Sequence, residues 1–201
     1  MTVWTPTTAS EWAPPARDPS SKLYQLPDWP GQFNFRDRGN QWASTEMMLF
    51  LSELIFAWYM GPGMVGQRPI GIGDISLSNG HQPGGHATHR DGLRIDFCCM
   101  HIMPSVRRYE KKYMITHASP FYDRAAMVAF VTLIRKLLEG RYKVAEIYYN
   151  DPAVQAVWPE RITSLVNHDE HLHLGLWPGH PYGNNAETLL SLPMPLRQIG
   201  F

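Results

Sequence analysis

Six of the nine histidines fall in two short windows: His81, His86 and His89, then His168, His171 and His173. The windows are far apart in the chain, so only folding can join them. In the second, His171-Leu172-His173-Leu174-Gly175-Leu176 alternates strictly. A strand there projects His171 and His173 from one face and packs the three leucines on the other. Alone, such a pair is more often a solvent-facing polar strand than a metal site. In the first window His89 and Asp96 are seven residues apart, with Gly92 between them. Seven is odd, so a regular strand puts them on opposite faces. They converge only if His89 precedes the strand and Gly92 permits a bend or bulge. Zinc takes imidazole nitrogen and carboxylate oxygen, and its catalytic sites use three protein ligands plus water. His89, Asp96 and one histidine of the pair would supply that set. The chemistry is then metal-assisted hydrolysis, with a nearby His or Glu moving the proton.

These residues need strands to carry them and helices to bury the strands. Leu93–Ile102 reads as a strand with Leu93, Ile95 and Phe97 on one face and Arg94 and Asp96 on the other. Ile70–Leu77, Tyr113–Thr116, Val144–Tyr149 and Glu170–Trp177 are the other expected strands, and Ser78–Gly85 is a polar loop. Ser44–Tyr59 reads as a buried helix stopped by Gly61-Pro62-Gly63. Asp123 is expected to cap an amphipathic helix that ends at Gly140, and Asp151-Pro152 to start a short one limited by Pro159. Residues 1–43, rich in Pro and Ser/Thr, have no sustained period and read as an irregular arm pinned by Trp4, Trp12, Trp29 and Trp42. The expectation is one α+β domain: a small central antiparallel sheet flanked by helices, with a long irregular N-terminal arm. Its parts are the arm at 1–43, a core at 44–177 and a Pro/Gly-rich tail at 178–201.

Composition excludes several classes. The 201 residues suffice for one domain with a real core. At 44% hydrophobic and 18% charged, with 12% aromatic residues, the chain is not of the disordered type. Lys+Arg and Asp+Glu both total 18, so charge gives no case for nucleic acid as a partner. The apolar run Met47–Met60 is interrupted by Glu53 and is too short for a membrane span. The adjacent Cys98 and Cys99 offer no disulfide framework. No basic stretch followed by an apolar run opens the chain, so synthesis in the cytoplasm without a secretory signal is expected.

Several motifs agree in order and spacing with one family. Gly73-Asp74, Gly85-His86-Ala87-Thr88-His89, the His89/Gly92/Leu93/Asp96 pattern and His168/His171/His173 follow one another between Ser44 and Leu176. In this the chain resembles the zinc peptidases grouped with lysostaphin and the D-Ala-D-Ala metallopeptidases, and is most similar to the penicillin-insensitive murein endopeptidases. Thr88 stands where relatives carry Ser, and Arg94 where they carry Ala or Asp. The resemblance implies one zinc ion per chain, with His89, Asp96 and His173 as ligands. It implies that His171 and His168 line the site and relay protons. Glu170, three residues before His173, stands where the dipeptidase and carboxypeptidase branch places its catalytic carboxylate, so His171 and Glu170 are rival bases. His86, Arg94 and Asp74 are expected around the site: Arg94 to hold a substrate carboxylate or an oxyanion or to form a surface ion pair, Asp74 or Asp91 to support a ligand histidine or to serve as a loop or cap residue.

The resemblance also implies a substrate, the peptide stems or cross-bridges of peptidoglycan. A wall substrate lies outside the cytoplasm. Action in the periplasm or wall, including that of a target cell, would follow from delivery as an antibacterial effector or release as a phage lysis enzyme. An immunity or delivery partner belongs to that expectation. The alternatives are a D,D- or L,D-carboxypeptidase or dipeptidase of the same fold, and a zinc-bearing binding module without catalysis.

Overall fold

The apolar run after Ser44 forms helix α1, Thr45–Met60, in a computed structural model that describes residues 12–61, 68–102 and 115–192. Helix α2, Arg124–Leu138, follows Asp123. Side-chain caps set both starts: Ser44 Oγ accepts from the Met47 amide at 3.3 Å, and Asp123 Oδ1 from the Ala126 amide at 2.9 Å. Two short helices, α3 at Pro152–Gln155 and α4 at Ala186–Ser191, are the other α-helices among the described residues. The first of these begins at the expected Asp151-Pro152, and Asp151 Oδ1 accepts from the Ala153 amide.

Strands β1 (Ala16–Arg17), β2 (Tyr24–Gln25) and β4 (Trp42–Ala43) form a small antiparallel sheet in the order β1-β2-β4. A six-stranded mixed sheet contains β3 (Gln32–Asn34), β5 (Ile70–Ile72), β6 (Arg94–Cys98), β7 (Val144–Tyr148), β8 (Ile162–Thr163) and β9 (His171–Leu176). Its order is β3-β5-β6-β9-β7-β8. The central pairings β5/β6, β6/β9 and β9/β7 are antiparallel, and the flanking pairs β3/β5 and β7/β8 are parallel. The fold is α+β, with a larger and more mixed sheet than the alternation of single strands suggests.

One face of this sheet is dry. Leu172, Leu174 and Leu176 of β9 are fully buried with Ile95 and Phe97 of β6. Phe97 meets Phe130 of α2 edge-on at 5.3 Å, and Phe130 meets Trp58 of α1 at the same distance. Helix α2 buries a single stripe that includes Phe130, Ile134 and Leu138. Helix α1 is apolar on nearly every side because its other side is covered too. There Trp12 packs against Phe56 and Tyr59 at 5.2 and 5.6 Å.

Residues 12–43 are therefore not an appended arm. Their strands are two or three residues long, too short to show a period, yet β3 extends the main sheet beside β5. Trp12 and Trp29 are buried and Trp42 is half-buried, while Trp4 lies outside the described residues. Of the expected strand at Tyr113–Thr116, Tyr113 and Met114 lie outside the described residues, and Ile115 and Thr116 are irregular. No helix among the described residues is long and apolar enough to cross a membrane.

The bend between His89 and Asp96 lies where the odd spacing requires it. Asp91 and Gly92 both have positive φ, +59° and +66°, and β6 begins two residues later. The Gly92 carbonyl accepts from the Ser44 amide at 3.0 Å. A Cβ on Gly92 would stand 2.3 Å from Ser44 N and 2.7 Å from the Ala43 carbonyl carbon, both backbone atoms. Gly92→Ala is expected to cost about 2–5 kcal/mol from left-handed strain plus overpacking, read as a lower urea midpoint. An unchanged midpoint would show that the bend does not depend on glycine.

Candidate metal centre

Antiparallel pairing of β6 with β9 sets Asp96 directly opposite His173. The alternation in both strands aims these two side chains to the polar face, away from the leucines. The loop ending at Gly92 brings His89 over the same point. His89 Nε2 lies 3.1 Å from Asp96 Oδ1 and 3.1 Å from His173 Nδ1, and His173 Nδ1 lies 3.0 Å from Asp96 Oδ1. Three potential donors thus form a nearly equilateral triangle. A tetrahedral zinc with bonds of about 2.0–2.1 Å spaces its ligand atoms about 3.3 Å apart.

The donor set suits a cation. The His89 and His173 nitrogens approach each other and one carboxylate oxygen, so their lone pairs require protons or a metal between them. His89, Asp96 and His173 are all buried, and the far ring nitrogens His89 Nδ1 and His173 Nε2 are buried without a hydrogen-bond partner among the described residues. Burial alone would raise the Asp96 pKa. Hydrogen bonds from His173 and His89 outweigh it and hold the carboxyl well below the usual range.

His86 offers a further donor. Donor atoms of His86, His89 and Asp96 lie within 4.8 Å of one another, a group that could hold a metal ion. His86 Nδ1 is 3.9 Å from Asp96 Oδ2, looser than the triangle that His173 completes. Its other nitrogen, Nε2, is tied to Asp74 Oδ2 at 2.8 Å. That hydrogen bond is the main cause of a raised His86 pKa. Asp74 also accepts from Asn40 Nδ2 at 2.9 Å and faces Arg36 at 3.4 Å.

Asp74 supports His86, not a member of the triangle, and Asp91 sits in the turn with its amide bonded to the Gly80 carbonyl. The carboxylate that faces His173 is Glu146 of β7, with Oε1 3.7 Å from Nε2. Arg94 donates from Nε to the same oxygen at 2.8 Å and lies over the Trp177 ring. Of its two expected roles, Arg94 takes the ion pair.

His171 and His168 stand at the open side. His171 Nε2 is 3.8 Å from Asp96 Oδ1, and its side chain is 17% exposed where that of His89 is 2%. Burial pushes its pKa down to about 4, which leaves the ring uncharged at neutral pH. His168 packs 4.8 Å from the His171 ring and donates from Nδ1 to the Val166 carbonyl at 3.0 Å, which leaves Nε2 as the acceptor. Glu170 precedes β9, and its carbonyl accepts from the Cys99 amide at 3.3 Å. Its carboxylate makes no hydrogen bond or ion pair with the triangle among the described residues.

Two side chains at the centre escape a motif search: Glu146, and Tyr148, whose ring stacks on His173 at 5.6 Å. The run Val144-Ala145-Glu146-Ile147-Tyr148 alternates, so a shared polar face for Glu146 and Tyr148 was open to inspection. Compared with known proteins, the chain matches no family model and no curated protein.

Proposed function

We propose that the chain is a zinc-dependent peptidase that hydrolyses amide bonds in the peptide stems or cross-bridges of peptidoglycan. The observation that carries this is the 3.0–3.1 Å triangle of His89 Nε2, Asp96 Oδ1 and His173 Nδ1 with the less buried His171 beside it. A zinc ion bound by these three residues supplies a Lewis acid that polarises an amide carbonyl and acidifies water. His171 Nε2 takes the proton from the attacking water and returns it to the leaving amine. The His168 ring packs 4.8 Å from that of His171, its own Nδ1 held by the Val166 carbonyl. Peptidoglycan as the substrate rests on the resemblance of the motifs from Gly73-Asp74 to His173 to those of the murein endopeptidases.

The test is incubation of the zinc-loaded protein with purified peptidoglycan and mass analysis of the released muropeptides. Cut stems or cross-bridges should appear with the native chain and disappear with His173→Ala. Release of a single terminal D-amino acid, or of a dipeptide, would assign the carboxypeptidase or dipeptidase activity instead. Stoichiometric zinc with unaltered muropeptides would overturn the enzymatic proposal and leave a binding module.

A further inference from the structure

The row of residues beside the triangle crosses three strands. Arg94 of β6 pairs with Gly175 of β9, and Gly175 pairs with Glu146 of β7. Gly175 is the only position in that row without a side chain, and the gap is filled. A Cβ on Gly175 would lie 2.3 Å from Glu146 Oε1 and 2.6 Å from its carboxyl carbon. The Glu146 side chain therefore lies across the backbone of β9, reaching Arg94 Nε at 2.8 Å and standing 3.7 Å from His173 Nε2. A β-bulge between Val144 and Glu146 accompanies this arrangement.

His173 has only two ring nitrogens to assign. Its Nδ1 points at Asp96 and His89, so a metal there requires the lone pair on Nδ1 and the proton on Nε2. His173 is 3% exposed, and Nε2 lacks a hydrogen-bond partner among the described residues. An N–H at that position is deprived of water and faces a carboxylate that Arg94 holds in place. We propose that Glu146 is a positioning residue, which, clamped by Arg94 over Gly175, fixes His173 in the Nε2–H tautomer and so presents Nδ1 to the metal. The assignment rests on the zinc-peptidase reading of the triangle, and it concerns a residue outside every motif described above. Glu146 touches neither metal nor substrate and acts through His173 alone.

The experiment compares zinc affinity, by competition with a chelating dye, between the native chain and Glu146→Gln. Affinity should fall about 10–100-fold with the stoichiometry kept at one. Nitrogen-15 NMR of the zinc-loaded native protein should show the His173 proton on Nε2, protected from exchange. In Glu146→Gln that proton should move upfield and exchange faster. Gly175→Ala keeps the carboxylate but displaces it, and should weaken zinc in the same direction. It also serves if Glu146→Gln does not fold. A Glu146→Gln variant with a lower unfolding temperature but unchanged zinc affinity would mean a structural role through Arg94, and would overturn the proposal. So would a native zinc complex with no proton on His173 Nε2. A native chain that takes up no zinc would bring down the metallopeptidase reading as well, which separates the two failures.

Discussion

Asp96→Ala should leave the protein without zinc and reduce hydrolysis to background. Asp96 is the hub of the centre: its Oδ1 is within 3.1 Å of His89 Nε2 and 3.0 Å of His173 Nδ1, and His171 Nε2 is 3.8 Å away. It is also the only acidic member of the triangle, so its loss leaves a divalent cation facing uncharged imidazoles in a buried site. Metal analysis after dialysis checks the occupancy. Thermal unfolding gives a second readout, because a ligand that binds only the folded state stabilises it by about 4 kcal/mol at a thousand times its dissociation constant. For a chain of 201 residues that corresponds to a rise of about 10 °C, which the native protein should show on zinc addition and Asp96→Ala should lack. Full occupancy in Asp96→Ala would place the metal elsewhere, with His86 and its Asp74 partner as the next set to test.

What could be read beforehand depended on how local its cause was. Strict alternation at His171–Leu176 separates histidine face from leucine face with no knowledge of neighbours, and the odd spacing of His89 and Asp96 demands a bend that the positive φ of Gly92 provides. The caps at Ser44 and Asp123 are equally local. Pairing across strands is not. That Glu146 lies opposite Gly175, and Gly175 opposite Arg94, depends on which strands flank β9 and in what register. Nothing within Val144–Tyr148 specifies that. The partner of Asp74 is non-local in the same way: it is His86, from the loop before β6. The N-terminal residues hid their strands because two-residue pairings such as Ala16–Arg17 with Tyr24–Gln25 leave no periodic signature.

The choice between His171 and Glu170 as proton carrier should be settled by a pair of variants. His171→Ala is expected to keep one zinc per chain and lose turnover by about 10²–10⁴-fold, the range for a positioned general acid–base group. Glu170→Gln should lose far less. The reason is register. Cys98 pairs with His171, and the Glu170 carbonyl receives the amide of Cys99, so Glu170 stands beside the residue whose side chain points into the core. Cys99 Sγ there lies 2.9 Å from the Tyr149 hydroxyl, while Asp96 and Cys98 share the opposite, polar face with His171 and His173. For Glu170 to reach the attacking water, the chain before β9 would have to twist its carboxylate around to the face His171 already occupies. Zinc retained in both variants, with the larger loss in Glu170→Gln, would show that this twist occurs and would move the proposed proton transfer from imidazole to carboxylate. Equal and small losses would leave His168, 4.8 Å from the His171 ring, as the remaining group able to carry the proton.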